Sequence, residues 1–262
     1  MLLDIICFGL YSIAAAIIVT GLFDHHGPKK RLALPVAGLA LVLHGFILFN
    51  LVILEPGQNM SMLNVASLVS WLISVTMVLA SFKLPNTILL PVVFSFSALV
   101  ILVNPLLPDE HLMHYSIQPA LIIHITFALL AYACLSIAFL YALQLAYINV
   151  RLKEKKASLL HSSLPPLMVV EGILFKLLMV GTVLLTFSLI SGFMFLDNMF
   201  AKEQAHKTVL SIMAWLIYSV IVFGHIKFGW RGKPVISATI VGSFLLTLGY
   251  FGSRFVREFI LN

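Results

Sequence analysis

Residues Pro119 to Tyr147 read PALIIHITFALLAYACLSIAFLYALQLAY, an apolar run without one acidic or basic side chain. At about 1.5 Å of rise per residue, a helix of this length exceeds the ~30 Å hydrocarbon thickness of a bilayer. In lipid every backbone group must be satisfied internally, so the run predicts a membrane-spanning helix. Stepping by threes and fours from His124 gives Ala128, Ala131, Leu135, Ala138 and Ala142. That face of small residues lets another helix or a flat ligand approach the backbone closely. His124 needs a partner, because an unpaired polar group in hydrocarbon costs several kcal/mol.

The whole chain agrees with this stretch. Of 262 residues, 61% are hydrophobic and 10% charged, where a soluble domain carries about 25% charged residues. With a mean hydropathy of +1.08, the composition predicts a polytopic, all-α membrane protein forming one membrane domain over residues 1–262. A pI near 9.4 could suggest a nucleic-acid partner. The cations lie instead in short clusters between apolar runs, as the positive-inside rule expects, so nucleic acid is set aside and lipid is the expected surround. Cys7 and Cys134 fall inside apolar runs, and no C-x-x-C or C-x-x-C-H occurs. Zinc, a thioredoxin-like redox pair and c-type haem attachment are therefore unsupported.

Eight spans are expected: about Leu2–Phe23, Leu32–Leu54, Leu63–Phe82, Thr87–Leu107, the Pro119 helix, Ile173–Leu196, Thr208–Ile226 and Val235–Val256. The first has no basic n-region and is followed by basic residues, the wrong polarity for a cleavable signal peptide, so it counts as a helix. Lys29, Lys30, Arg31, Lys83, Arg151, Lys153, Lys155, Lys156, Lys227, Arg231 and Lys233 all fall in the four segments then placed inside. Both termini are expected outside the cytoplasm.

Histidine is the informative residue type. His25, His26 and His161 fall in inner loops, and His111, His114 and His206 in outer loops or at a helix mouth, where solvation explains them. His44, His124 and His225 lie within spans. From the helical rise, His124 sits roughly 8 Å and His44 about 15 Å below the outer edge, close enough in depth to face one object. His225 lies near the inner end of its helix. Haem needs only one or two axial imidazoles in an apolar, aromatic-rich pocket, whereas zinc wants more ligands. A hydrogen bond to a serine, a tyrosine or a backbone carbonyl across a helix contact is the competing reading. No carboxylate dyad or nucleophile–base pair suggests an enzyme. In the last inner loop, Trp230, Arg231 and Lys233 read as an interfacial anchor.

Four segments, in order, resemble the CcsA-type cytochrome c assembly proteins. They are MSMLNVASLVSWL (Met60–Leu72), IIHITFALLAYACL (Ile122–Leu135), VGTVLLTFSLISG (Val180–Gly192) and KTVLSIMAWLIYSVIVFGHIKFGWRGK (Lys207–Lys233). The resemblance covers nearly the whole chain. It implies a haem-handling, cytochrome c biogenesis-related protein of the bacterial inner membrane, with haem as cofactor and other membrane proteins as partners. His124 matches an outer haem-ligand histidine. His225 matches the histidine on the helix before the family's Gly-Trp-x-Gly-Lys block, to which Trp230, Gly232 and Lys233 correspond. Lys207 also matches the family pattern. His44 is assigned as a second ligand from its depth alone, and Arg231 and Lys233 as contacts to a propionate or a lipid phosphate. The chain departs from the family between Asp197 and Lys207, where DNMFAKEQAHK carries no tryptophan, and at its C-terminal end, which lacks a second outer histidine. Those departures support the alternative of a non-haem transporter component or a partner subunit that has kept the fold.

Overall fold

The structure is a computed structural model that describes residues 1–22, 27–54, 57–59, 61–106, 112–113, 119–153, 165–195 and 205–252. His25, His26, His111, His114 and His161, most of the tryptophan-free segment and the C-terminal end lie outside the described residues. The helices are α1 (Leu2–Leu22), α2 (Lys30–Val52), α3 (Met62–Ala80), α4 (Leu90–Val103), α5 (Pro119–Lys153), α6 (Leu167–Phe195), α7 (Ala205–Phe228) and α8 (Lys233–Thr247). A 3-10 turn, Asn104–Leu106, prolongs α4, and a π-helical turn, Leu248–Gly252, prolongs α8. Seven of the helices are long and apolar enough to cross a membrane, and α4 with its 3-10 turn is a shorter apolar helix. Three short antiparallel strands, β1 (Ile53–Leu54), β2 (Gly57–Asn59) and β3 (Leu112–Met113), pair Ile53 with Gln58, Leu54 with Gly57, Gln58 with Met113 and Asn59 with Leu112.

Helix α4 begins later than the expected Thr87. The Asn86 side chain donates to the Met77 carbonyl at 2.7 Å and accepts from Ser81 Oγ at 2.8 Å, while its carbonyl takes the Leu89 N–H at 3.0 Å. Those bonds hold the preceding residues in a tight turn, and Pro91 in the first helical turn suits a late start. At the other extreme, α5 runs on to Lys153 and α6 starts at Leu167, before the expected Ile173. Glu171, which precedes the expected Ile173–Leu196 span, is consequently a buried residue of α6.

The chain forms two compact units, residues 1–115 with 155–165, and residues 116–154 with 166–262. In the first, α1 packs on α2 and α4, and α3 closes the ring against both. In the second, α5 packs on α6 and α8, and α7 closes the ring the same way. Each unit is thus a four-helix ring in which sequence neighbours are spatial neighbours. Small residues set the close contacts: a Cβ at Gly181 would lie 2.6 Å from the Leu135 side chain, and one at Gly242 would lie 2.9 Å from the Tyr218 ring. Of the face read from the sequence, Ala131, Leu135, Ala138 and Ala142 are buried and Ala128 is half-buried.

Polarity runs opposite to that of a soluble bundle. His44, Ser67, Ser70, Ser74 and Ser97 are inside the first unit, while Phe46, Phe49, Leu79 and Phe96 point outward. Lipid tails are as apolar as leucine, so hydrogen bonds and close packing hold such helices together in place of hydrophobic burial.

Candidate functional site

His124 lies near the start of α5 in the second unit, part-buried against α6. Its Nδ1 is 2.9 Å from the Ser188 carbonyl and 3.2 Å from Ser191 Oγ. A carbonyl only accepts, so Nδ1 carries the proton. Ser191 Oγ already donates to the same Ser188 carbonyl at 2.9 Å, so it too acts as an acceptor toward the imidazole. The neutral ring therefore presents its lone pair at Nε2, which has no hydrogen-bond partner among the described residues. A ring held through one nitrogen by a carbonyl, with the other nitrogen unprotonated, is what axial metal ligation requires. The Phe127 and Phe187 rings, one from each of the same two helices, pack with centroids 5.5 Å apart. One imidazole nitrogen beside apolar rings is the donor chemistry of an axial haem ligand.

His225 repeats the arrangement at the far end of the same unit. Its Nδ1 donates to the Trp230 carbonyl at 3.0 Å, and the imidazole lies flat on Phe175, 3.3 Å between centroids with 13° between planes. Phe175 and Ser188 are separated along α6 by about 20 Å of helical rise. His124 and His225 therefore mark two places, as their depths in the sequence imply. The loop beyond His225 depends on glycine. Gly229 and Gly232 have φ of 66° and 73°, where a side chain is strained. A Cβ at Gly224 would run into the Trp230 indole. The Gly-Trp-x-Gly-Lys block thus keeps residues that its own turn geometry demands. Lys207 is the third residue of α7, whose opening turn packs beneath Gly249.

For His44 the arrangement differs from the expected second ligand. It is wholly buried in the first unit, with Nδ1 3.1 Å from Tyr11 Oη and Nε2 2.9 Å from Ser67 Oγ. Both ring nitrogens are spent on hydroxyl groups, and ligation by this residue requires one of those bonds to break. The network continues in the same core: Ser70 Oγ donates to the Ser67 carbonyl at 2.9 Å, Ser97 Oγ to the Ser70 carbonyl at 3.3 Å, and Ser74 and Ser97 hydroxyls meet at 2.8 Å. All four helices of that unit contribute to it. Nearer the strands, Asn104 donates to Asn64 at 3.1 Å, and Asn64 donates to the Asn59 carbonyl at 3.1 Å. The Met60–Leu72 segment that carries one of the resemblances supplies Asn64, Ser67 and Ser70.

Sequence reasoning did not single out Ser188 and Ser191, although both lie in a matched segment, because pairing them with His124 needs a register across 64 residues. Nor did it single out Tyr141 and Gln144, whose buried side-chain oxygens and amide nitrogen have no hydrogen-bond partner among the described residues. A glutamine in an otherwise apolar run was the available signal. Among the described residues no group of three or more His, Cys, Asp or Glu could hold a metal ion.

Residues 33–261 match the family described as Cytochrome C assembly protein. The chain is 40% identical over 252 residues to the protein named Inner membrane protein YpjD of Escherichia coli K12, covering 95% of each. It is 28% identical over 143 residues to an uncharacterized 28.8 kDa protein of Azospirillum brasilense, covering 53% of this chain and 52% of that one. Against the Cytochrome c biogenesis protein CcsA of Prochlorococcus marinus AS9601, identity is 26% over 177 residues, 57% of each chain. No solved structure matches. With a family match over most of its length and a 40% identical relative aligned almost end to end, the chain belongs to the cytochrome c assembly protein family.

Proposed function

We propose that this protein handles haem as cargo in the bacterial inner membrane, in connection with cytochrome c biogenesis, and that His124 supplies the axial nitrogen. The observation that carries the reading is the Nδ1 hydrogen bond of His124 to the Ser188 carbonyl at 2.9 Å. It fixes the ring's rotation and its tautomer, so Nε2 is the nucleophilic nitrogen before any ligand arrives. Helix α6 is thereby a positioning element: Ser188 and Ser191 orient the imidazole and keep water from Nδ1. Bound haem would supply only its iron as the acceptor for that nitrogen, and the protein would make and break no covalent bond of its own. His225, fixed by Trp230 and Phe175, is the matching candidate at the other end of the second unit.

The test is the absorption spectrum of protein purified in mild detergent from haem-replete cells. A Soret band with low-spin α and β features, lost in His124→Ala and kept in His206→Ala, is the expected result. A colourless wild-type protein rejects the reading. It would favour a partner subunit that has kept the fold, a second reading supported by the two spent nitrogens of His44 and by the absence of tryptophan between Asp197 and Lys207.

A further inference from the structure

Between α7 and α8 the chain turns through KFGWRGK, Lys227 to Lys233. Lys227, Arg231 and Lys233 are exposed there, and none is ion-paired among the described residues, where the ion pair found is that of the Met1 amino group with Asp4. The sequence explains why. No Asp or Glu occurs from Ala205 to Gly252, so the α7–α8 hairpin cannot neutralise its own cations.

The turn is also fixed in shape. The Gly229 N–H donates to the His225 carbonyl at 3.0 Å and the Trp230 N–H to the Gly224 carbonyl at 3.3 Å. His225 Nδ1 closes the loop on the Trp230 carbonyl at 3.0 Å. The indole rests on Gly224 and stacks with Phe228, 6.2 Å between centroids and 29° between planes. Even so, Phe228 remains 70% and Trp230 44% exposed. Two apolar rings and three exposed cations are thus presented together at the end of two membrane-spanning helices.

We propose that this turn docks the headgroup of an anionic membrane phospholipid. Arg231 and Lys233, with Lys227 behind them, take the phosphate, while Trp230 and Phe228 lie in the glycerol and upper acyl layer. A guanidinium forks onto phosphate oxygens, an ammonium adds a point charge, and an indole prefers the level where apolar and hydrated regions meet. A soluble phosphate would satisfy the cations and leave both rings in water. A lipid answers both halves of the surface at once. This assignment stands whether or not the protein carries haem.

The test reconstitutes the full chain in phosphatidylcholine bilayers doped with dibrominated phosphatidylglycerol or dibrominated phosphatidylcholine, reading tryptophan quenching. The chain's other two tryptophans, Trp71 and Trp215, are changed to phenylalanine so that Trp230 alone reports. Brominated phosphatidylglycerol should quench at about tenfold lower mole fraction, and Arg231→Gln/Lys233→Gln should bring the two lipids to within about twofold of each other. Lys83→Gln, an exposed cation of the α3–α4 turn, should leave the preference intact. Native mass spectrometry of the wild-type chain gives an independent reading: phosphatidylglycerol retained through purification, and lost in the double variant. Equal quenching by the two lipids, an undiminished preference in the double variant, or an equal loss in Lys83→Gln would overturn the assignment.

Discussion

Two histidines within membrane helices, His44 buried and His124 part-buried, are held in opposite ways, and the difference has measurable consequences. Removing the His44 ring strands Ser67 Oγ inside a closed core and takes one partner from Tyr11 Oη, which keeps Ser74. His44→Phe should therefore lower stability by about 1–3 kcal/mol, read from thermal unfolding in detergent. His124→Phe strands much less, since the Ser188 carbonyl keeps its bond from Ser191 Oγ. It should cost under about 1 kcal/mol. If the two variants cost the same, His124 is a structural residue like His44 and its place as a ligand is lost. Gln144 gives the opposite sign. Its side-chain oxygen and nitrogen are buried and unpartnered among the described residues, so Gln144→Leu removes a desolvation penalty and no bond. The variant should melt at or above the wild-type temperature. A clear loss of stability would mean that the amide holds a partner, such as an ordered water.

Helix ends and glycine contacts govern the next scale. At Gly224 a methyl group would meet the Trp230 indole well inside van der Waals distance. Gly224→Ala must push the indole off α7 and open the α7–α8 turn, at a cost of about 1–3 kcal/mol. Its signature is a red-shifted, more quenchable tryptophan emission; an unchanged spectrum would show that the ring does not rest there. Elements with a long apolar run and charged flanks were legible in the sequence: α1, α2, α3 and α7 start and stop within a few residues of their expected bounds. The start of α6 was not legible, because a charged residue, Glu171, and two prolines precede the apolar run, whereas the helix begins at Leu167 and buries the Glu171 side chain. Nor was the late start of α4, which depends on Asn86 reaching back to the Met77 carbonyl. At the site, composition exposed the histidines, since imidazole is conspicuous in an apolar run. Their partners are hydroxyls and carbonyls, groups that recur throughout the chain, and only the packing selects Ser188 for His124 and Tyr11 and Ser67 for His44.

For the molecule as a whole, the topology turns on the shortest of the eight helices. Helix α4 with its 3-10 turn spans Leu90–Leu106, about 25 Å of rise against a ~30 Å hydrocarbon core. A mismatch of that size is absorbed by local thinning of the bilayer at modest cost. Were α4 instead to lie along one surface, every later segment would change sides, and Arg151 and Lys153 at the end of α5 would face outward against the charge rule. We therefore expect Lys83 and Arg231 on the cytoplasmic side and Leu106 and His206 on the other. All four are exposed and accept a single cysteine in a background where Cys7 and Cys134 are changed to alanine. A membrane-impermeant maleimide applied to intact spheroplasts should label Leu106→Cys and His206→Cys, and should reach Lys83→Cys and Arg231→Cys only after permeabilisation. Labelling of Leu106→Cys together with Lys83→Cys on one side would remove α4 from the spanning set. It would also leave the cations of the α5 end and of the α7–α8 turn on the face where an inner-membrane protein rarely keeps them. Because Leu106 is the residue that changes sides if α4 fails to cross, that one labelling pattern decides the topology of everything that follows it, including which leaflet the Trp230 turn meets and which face His124 approaches.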